Sequence, residues 1–156
     1  SKKMDAIIAG LGAALGFAAL HVVNDTILAP QGLSCLCPPL GAVAVLLFCL
    51  PSAPASQPKA VIGGHIISGL IGYAVVQSGI AYGEAIAVAG TIAAMTFFKV
   101  VHPPAGAYAF LYVNKNMGLK GLFAPGLVGG IVLIAAQKFV DYTVKPMLTG
   151  NKKKTS

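Results

Sequence analysis

Charge is scarce in this sequence. Charged residues make up 10% of its 156 residues, whereas a soluble globular domain carries about 25%. There are only four acidic residues, and none of them forms a carboxylate pair suited to acid–base chemistry. The three cysteines, Cys35, Cys37 and Cys49, match neither the CxxC redox spacing nor a metal-site spacing. Without a nucleophile–base order or a phosphate loop, the sequence predicts a protein that is not an enzyme and has no metal or other cofactor.

Apolar residues dominate instead. Hydrophobic residues make up 56% of the chain and the mean hydropathy is +0.81. Four stretches carry no formal charge: Ala6–Asn24, Ala60–Gly83, Ala85–Phe98 and Gly121–Gln137. Their lengths compare with the roughly 17–25 residues that a spanning helix needs. They are rich in glycine and alanine, which let helices approach closely in lipid. The composition therefore predicts an all-α integral membrane protein.

The net charge of +7 comes wholly from lysine, because the chain has no arginine. Lysines cluster in a basic N-terminal end (residues 1–5) and a basic C-terminal tail (146–156). This placement predicts anchoring to an anionic leaflet, with the lipid bilayer as a partner. No basic stripe alternates with aromatic residues, so nucleic acid is not expected as a partner.

One pattern occurs twice. Pro38–Leu46 reads PPLGAVAVL and Pro103–Leu111 reads PPAGAYAFL, 65 residues further along. Proline suits the first turn of a helix, where its missing N–H and fixed φ cost nothing. The pattern therefore predicts two short helices, Pro38–Leu50 and Pro103–Val113.

Two further pairs of segments repeat in the same order. VIGGHII at 61–67 matches LVGGIVL at 127–133, and residues 9–17 match 89–97. We therefore predict two three-element membrane repeats, 6–76 and 82–145, with about four full spans and two short or half-span helices. The predicted longer helices are Ala6–Val23, Ala60–Val76, Glu84–Val101 and a last one from Gly121 or Pro125 to Lys145, ended by Pro146. Asn24–Cys37 is predicted to be a loop.

The number of crossings is open. If all six elements cross, Lys59, Lys99 and both termini share one side and Lys115 and Lys120 lie on the other, as the positive-inside rule requires. However, a 13-residue helix reaches only about 20 Å, short of a ~30 Å hydrocarbon core. Both alternatives predict termini on one side, and an odd number of spans per repeat would make the two repeats inverted.

The starts of the two short helices are the candidate route for a small anion. Their N-terminal dipoles and free N–H groups would balance negative charge. The route candidates are Pro38, Pro39, Gly41, Gly63, Gly64, His65, Lys99, His102, Pro103, Pro104 and Gly106. Each also has a plain structural reading: histidines bond helix ends, glycines pack, and lysines reach toward headgroups.

Two motifs resemble those of the HPP family of integral membrane proteins. HPPAGA at 102–107 is similar to the family signature, and QPKAVIGGH at 57–65 is similar to its other marked segment. The resemblance implies about four membrane spans. It also implies a place in a plastid membrane (chloroplast envelope or thylakoid) or a bacterial inner membrane, and nitrite transport as in plastid and cyanobacterial relatives.

Two functions follow from these patterns. The first is transport of a small anion, nitrite foremost, by one chain or a homo-oligomer. The alternative is a non-catalytic structural subunit of a larger membrane complex, for example a photosynthetic one. A transporter should show a polar path that reaches His65 and His102 from both sides. A structural subunit should have both histidines sealed by neighbours and a broad apolar face buried by a partner.

Overall fold

The chain forms a bundle of helices in a computed structural model that describes residues 1–150. The main helices are α1 (Lys2–Val23), α2 (Pro39–Cys49), α3 (Pro58–Ser78), α4 (Gly83–Phe97), α5 (Pro103–Asn114), α6 (Gly126–Phe139) and the short α7 (Lys145–Thr149). No strand occurs within the described part of the chain, so the predicted all-α class is confirmed. The basic tail predicted at 146–156 lies outside the described residues from position 151 onward.

Prolines open three of the helices. Pro39, Pro58 and Pro103 occupy the first position of α2, α3 and α5, where a missing N–H is tolerated. The short helix predicted from Pro103 is confirmed, and the other begins one residue after the predicted Pro38. Because Pro58 can start a helix, α3 begins two residues before the predicted Ala60.

The end of α4 differs from the prediction. The helix was expected to reach Val101, but it ends at Phe97, because Lys99 adopts a left-handed φ of 56°. The Lys99 N–H donates to the Thr96 carbonyl at 3.2 Å and the Val100 N–H donates to the Met95 carbonyl at 2.9 Å. These two bonds form a Schellman-type helix end, so α4 has 15 residues.

Within residues 1–150, three segments are long and apolar enough, by length and composition, to cross a membrane. They are Lys2–Gln31, Pro58–Ser78 and Leu119–Thr149, while Pro39–Cys49 and Gly83–Phe97 are shorter apolar helices. About four full spans were predicted, and α4, with 15 residues, is the predicted span that falls among the shorter apolar helices.

The first and last helices continue beyond their predicted ends through wider turns. After α1 a π-helical turn, Asn24–Leu28, and a 3-10 turn lead to Gln31, where a loop was predicted. After α6 a second π-helical turn, Val140–Val144, leads into α7. Pro146 lies in the first turn of α7, so it does not end the helix as predicted. The basic N-terminal end is helical as well, because α1 begins at Lys2 and the Ser1 hydroxyl caps it.

Helices α1, α2 and α6 pack together as one group, and α3, α4 and α5 form a second group, joined to the first through α3 and α6. The core of the first group includes Leu20, Leu40, Val43, Leu47 and Leu133. The third helix of each predicted repeat thus packs with the first two helices of the other. The repeat itself stays a prediction.

Consecutive main helices run in alternating directions, so both described ends of the chain lie at one end of the bundle. Asp5, Pro51 and Lys145 line one cavity there. The placement of both termini on one side of a membrane stays a prediction. Most described lysines belong to this end (Lys2, Lys3, Lys59, Lys99, Lys138 and Lys145), and Lys115 and Lys120 belong to the other. That asymmetry follows the positive-inside pattern.

Candidate functional site

Two of the predicted histidines meet inside the bundle. His65 lies on α3, and His102 is the residue that precedes the first turn of α5. Their ring centroids are 5.2 Å apart, and the two ring planes are tilted by 57°. Both residues are 0% exposed. Two imidazoles that lie 37 positions apart in the sequence therefore form one buried pair, which we call the histidine pair.

Each imidazole is held through one nitrogen only. Nδ1 of His65 lies 2.8 Å from the carbonyl oxygen of Val61, one turn earlier on α3. Nδ1 of His102 lies 2.8 Å from the carbonyl oxygen of Ala55, in the connection between α2 and α3. The Nε2 atom of each histidine is buried and has no hydrogen-bond partner. Because buried polar atoms nearly always have a partner, two orphaned nitrogens side by side call for an explanation.

Glycines let the surrounding helices approach the pair. A Cβ atom on Gly64 would lie 2.9 Å from the Cβ of His102 and 3.1 Å from the Cβ of Ala105. On α6, a Cβ atom on Gly126 would lie 2.8 Å from Cδ2 of His65. These distances are too short for a methyl group, so glycine is required for α3, α5 and α6 to meet here.

Tyr108 also lies against the histidine pair, although it was not predicted from the sequence as a site residue. Its ring centroid lies 5.7 Å from that of His65 in an edge arrangement. Its hydroxyl donates to the carbonyl oxygen of Gly121 at 2.6 Å, so that hydroxyl is occupied and the ring faces the pair. The one available signal was that the repeated pattern has Tyr108 where its first copy has Val43.

The other predicted residues lie in mixed surroundings. Pro104 is fully buried, whereas Pro103 and Lys99 are exposed. A Cβ on Gly63 would touch the Val100 side chain at 3.1 Å, and one on Gly106 would meet nothing within 4 Å.

At the start of α2, Pro39 is buried, while Pro38 and Gly41 are exposed. A Cβ on Gly41 would likewise meet nothing within 4 Å. The structure therefore joins His65, Gly64 and His102, but neither Gly41 nor Gly106 contacts them.

The free N–H groups predicted at the two helix starts are absent. In α5 two prolines lack an N–H, and the next N–H, of Ala105, donates to the His102 carbonyl at 3.0 Å. In α2 the Leu40 N–H donates to the Cys37 carbonyl and the Gly41 N–H donates to the Pro38 carbonyl. The helix dipole remains at each start, but the donors that would have bound an anion are already used.

A polar cavity lies close to the pair, at the end of the bundle that holds the termini. Its volume is about 480 Å³, and its lining includes Ser56, Gln57, Lys138, Asp141 and Lys145. Ser56 directly follows Ala55, whose carbonyl holds His102. The connection between α2 and α3 therefore separates the cavity from the histidine pair.

Hydrogen bonds hold this connection in place. The Ser56 hydroxyl donates to the Leu46 carbonyl at 3.0 Å, and the Gln57 side-chain amide donates to the carbonyls of Pro51 and Ala53. On the far wall of the cavity, the Gln137 amide donates to the Asp141 carboxylate. Two lysines and one carboxylate leave this cavity with an excess of positive charge.

The site offers two imidazole nitrogens and little else for chemistry. Within residues 1–150, no group of three or more His, Cys, Asp or Glu side chains could hold a metal ion. Two adjacent nitrogens that lack partners are suited to taking up a proton or bonding to a small polar ligand.

Comparison with known proteins places this bundle among membrane proteins. A family model described as the HPP transmembrane region matches residues 1–146. Two transmembrane proteins of Dictyostelium discoideum are each 31% identical to the chain over 111 residues, which is 64% of this chain. The matched part spans 35% of one relative and 39% of the other. No solved structure matches the chain.

Proposed function

This chain belongs to the HPP transmembrane family, and from that premise we propose that it transports a small monovalent anion, with nitrite as the leading candidate. The observation that carries the proposal is the histidine pair. Leaving a buried polar group without a partner costs about 1–3 kcal/mol, and here two such nitrogens lie side by side. Ionisable residues within membrane segments mark transport routes more often than they serve packing.

The charges around the pair favour an anion over a cation. The described helices bring no carboxylate into contact with either imidazole. The positive end of the α5 dipole starts at His102. Lys138 and Lys145 lie in the wall of the nearby cavity. A bound cation would therefore have nothing to balance its charge.

The cavity is the proposed entrance on the side of the termini. Since both histidines are 0% exposed, the structure corresponds to a closed state in this proposal. Entry requires the connection at 51–57 to move away from His102. Breaking the bond between His102 and Ala55 would open a route from the cavity, because Ser56 and Gln57, which follow Ala55, already line it.

Nitrite as the substrate is supported by family resemblance rather than by the shape of the site. The site has no feature that separates nitrite from nitrate, formate or chloride, which are also small monovalent anions. We also propose that the chain lies in a plastid or bacterial inner membrane and that it forms a homo-oligomer.

The complete burial of the histidines favours a second candidate, a non-catalytic structural subunit of a larger membrane complex. In that case the pair would only fix the packing of α3 against α5. The many exposed apolar side chains, such as Phe97 at 79% and Phe98 at 60%, would face lipid or a partner. Both candidates share the proposal that the chain is not an enzyme.

Anion uptake by liposomes that contain the purified full chain distinguishes the two candidates. Nitrite, nitrate, formate, chloride and methylammonium would be compared for the wild type, His102→Ala and Cys37→Ala. Cys37 occupies the position of His102 in the first copy of the repeated pattern, so Cys37→Ala is the matched control.

We expect nitrite uptake in the wild type and in Cys37→Ala, and a loss of about ten- to a hundredfold in His102→Ala, because a hydrogen bond to a charged group contributes about 1.5–3 kcal/mol. Uptake no faster than in empty liposomes would reject transport by this chain and favour the structural subunit. Uptake of methylammonium instead of anions would reject the anion assignment.

A further inference from the structure

We propose that the histidine pair takes up one proton with each anion, so that the chain works as a proton–anion symporter. This inference rests on the proposed transport function and names its second substrate. Its basis is the hydrogen-bond geometry of the two Nδ1 atoms, which fixes what the two Nε2 atoms can do.

The tautomer of each histidine follows from its partner. A backbone carbonyl oxygen can only accept a hydrogen bond, so the Nδ1 atoms of His65 and His102, each 2.8 Å from one, must carry the hydrogen. A neutral imidazole has a single N–H. Each Nε2 atom is therefore a bare lone pair in the neutral state. Two lone pairs repel an anion, so the resting pair cannot bind one.

The hydroxyl groups near the pair on α3 and α5 already have hydrogen-bond partners. On α5, the Tyr108 hydroxyl already donates to the Gly121 carbonyl. On α3, the Ser68 hydroxyl donates to the carbonyl of His65 itself. From α6 the pair meets Gly126 and Gly130.

The remaining elements bring few polar groups, and on α4 the Thr91 hydroxyl is buried without a hydrogen-bond partner. On α4, the side chain that reaches this region belongs to Met95, beside Gly64. Before α2, Cys37 is a half-buried free thiol, which is at most a weak donor. A proton on an Nε2 atom thus turns the pair itself from an acceptor into a donor.

The separation of the rings sets the number of protons. With centroids 5.2 Å apart and no carboxylate in contact with them, two imidazolium ions would repel each other strongly. One proton gives one imidazolium, whose Nε2–H donates to an anion oxygen. The proton enters from water on one side of the membrane and binds an Nε2 atom, and the resulting N–H donates a hydrogen bond to the anion. The proton and the anion then leave into water on the other side. One proton and one monovalent anion together carry no net charge.

Electroneutral movement is the property to test. Liposomes containing the full chain would receive nitrite or nitrate outside. In one condition, a pH gradient that is acidic outside would be imposed while the membrane potential is clamped at zero. In the other, a potassium diffusion potential would be imposed at equal pH on both sides. Nitrate is included because it forms no neutral acid near neutral pH and so cannot leak through the lipid in that form. A pH-sensitive dye inside the liposomes would count protons.

We expect the pH gradient to accelerate uptake at least tenfold and to drive accumulation, the potential alone to change the rate less than twofold, and about one proton to enter per anion. Cys37→Ala should behave as the wild type does. Anion uptake that follows the membrane potential and ignores the pH gradient would overturn the symport proposal while leaving transport in place. A wild-type chain that moves no anion under either condition would overturn both proposals.

Discussion

The starts of α2 and α5 come from one repeated pattern but serve different purposes. α5 begins after His102, which is fully buried and faces His65. α2 begins at Pro39, and the residue that matches His102 is Cys37, a half-buried free thiol. In the matched segments of α3 and α6, His65 corresponds to Ile131, which is 47% exposed. The same proline pattern therefore precedes a polar site at the start of α5 and ordinary apolar packing at the start of α2.

The size of one side chain accounts for part of this difference. Leu40 and Ala105 hold the same place in the two patterns. Leu40 fills the space at the start of α2 and packs against Gly129, whereas Ala105 leaves room for α3 to approach at Gly64. The large Leu40 fills the space at the start of α2, whereas the small Ala105 leaves space for two imidazoles at the start of α5.

The largest difference between the two regions should appear in transport. His65→Leu should reduce nitrite uptake about ten- to a hundredfold, because it removes one of the two proton-accepting nitrogens. The matched change Ile131→Leu should leave uptake within about twofold, since this side chain is half exposed on the outer face. Uptake by liposomes checks both, with gel filtration to verify folding. Equal losses in the two variants would contradict a role confined to the α5 region.

A second difference concerns packing. Gly64→Ala should lower the free energy of unfolding by about 2–3 kcal/mol, because the new methyl group meets two Cβ atoms fixed to the α5 backbone. Gly129→Ala should cost only about 1 kcal/mol, because the nearest atoms are the terminal methyl groups of Leu40, which can rotate away. Reversible unfolding in mixed micelles, followed by circular dichroism, measures both. A larger cost for Gly129→Ala would reverse this part of the comparison.

Tyr108 allows a smaller test. Tyr108→Phe should cost about 1 kcal/mol of unfolding free energy, because the buried carbonyl of Gly121 loses its donor. Tyr112→Phe should cost less, because its hydroxyl bonds to the carbonyl of Gly118 in an exposed turn, where water can replace it. The same unfolding assay separates them, and identical costs would mean that burial at Gly121 has no energetic consequence.

The smallest effect is expected where the two starts are alike. Gly41 and Gly106 both face open space, so an added methyl group meets nothing within 4 Å. Gly41→Ala and Gly106→Ala should each change the unfolding free energy by less than about 0.5 kcal/mol, and nitrite uptake should stay unchanged. A marked loss of uptake in Gly106→Ala alone would show that this glycine contacts the anion, and the description of the site would have to include it.

Much of the fold was predictable because the signals were local. Paired prolines predicted the starts of the short helices, and uncharged runs predicted the membrane class. Helix ends were less predictable. A left-handed residue at a helix end is usually glycine or asparagine, so a lysine in that position, Lys99, has no marker in the sequence. The π-helical turn that carries the chain past Val140 likewise has no sequence signature.

The candidate site was predictable only in part. His65 and His102 could be chosen singly, since a histidine in an apolar run is unusual, but their pairing depends on how α3 packs against α5. The partner of His102 is the backbone carbonyl of Ala55, and side-chain patterns do not reveal backbone partners. The expectation of free N–H groups failed because the remaining donors bond within the first turn of each helix.

The central claim is that the histidine pair rests with two bare Nε2 atoms and gains one proton when an anion binds. Nitrogen-15 NMR of the histidine-labelled protein in lipid tests it directly, with His65→Leu and His102→Ala to assign the signals. We predict Nδ1–H tautomers for both residues without substrate, and one imidazolium signal after nitrite is added. A hydrogen on either Nε2 atom of the neutral pair, or signals unchanged at saturating nitrite, would contradict the account.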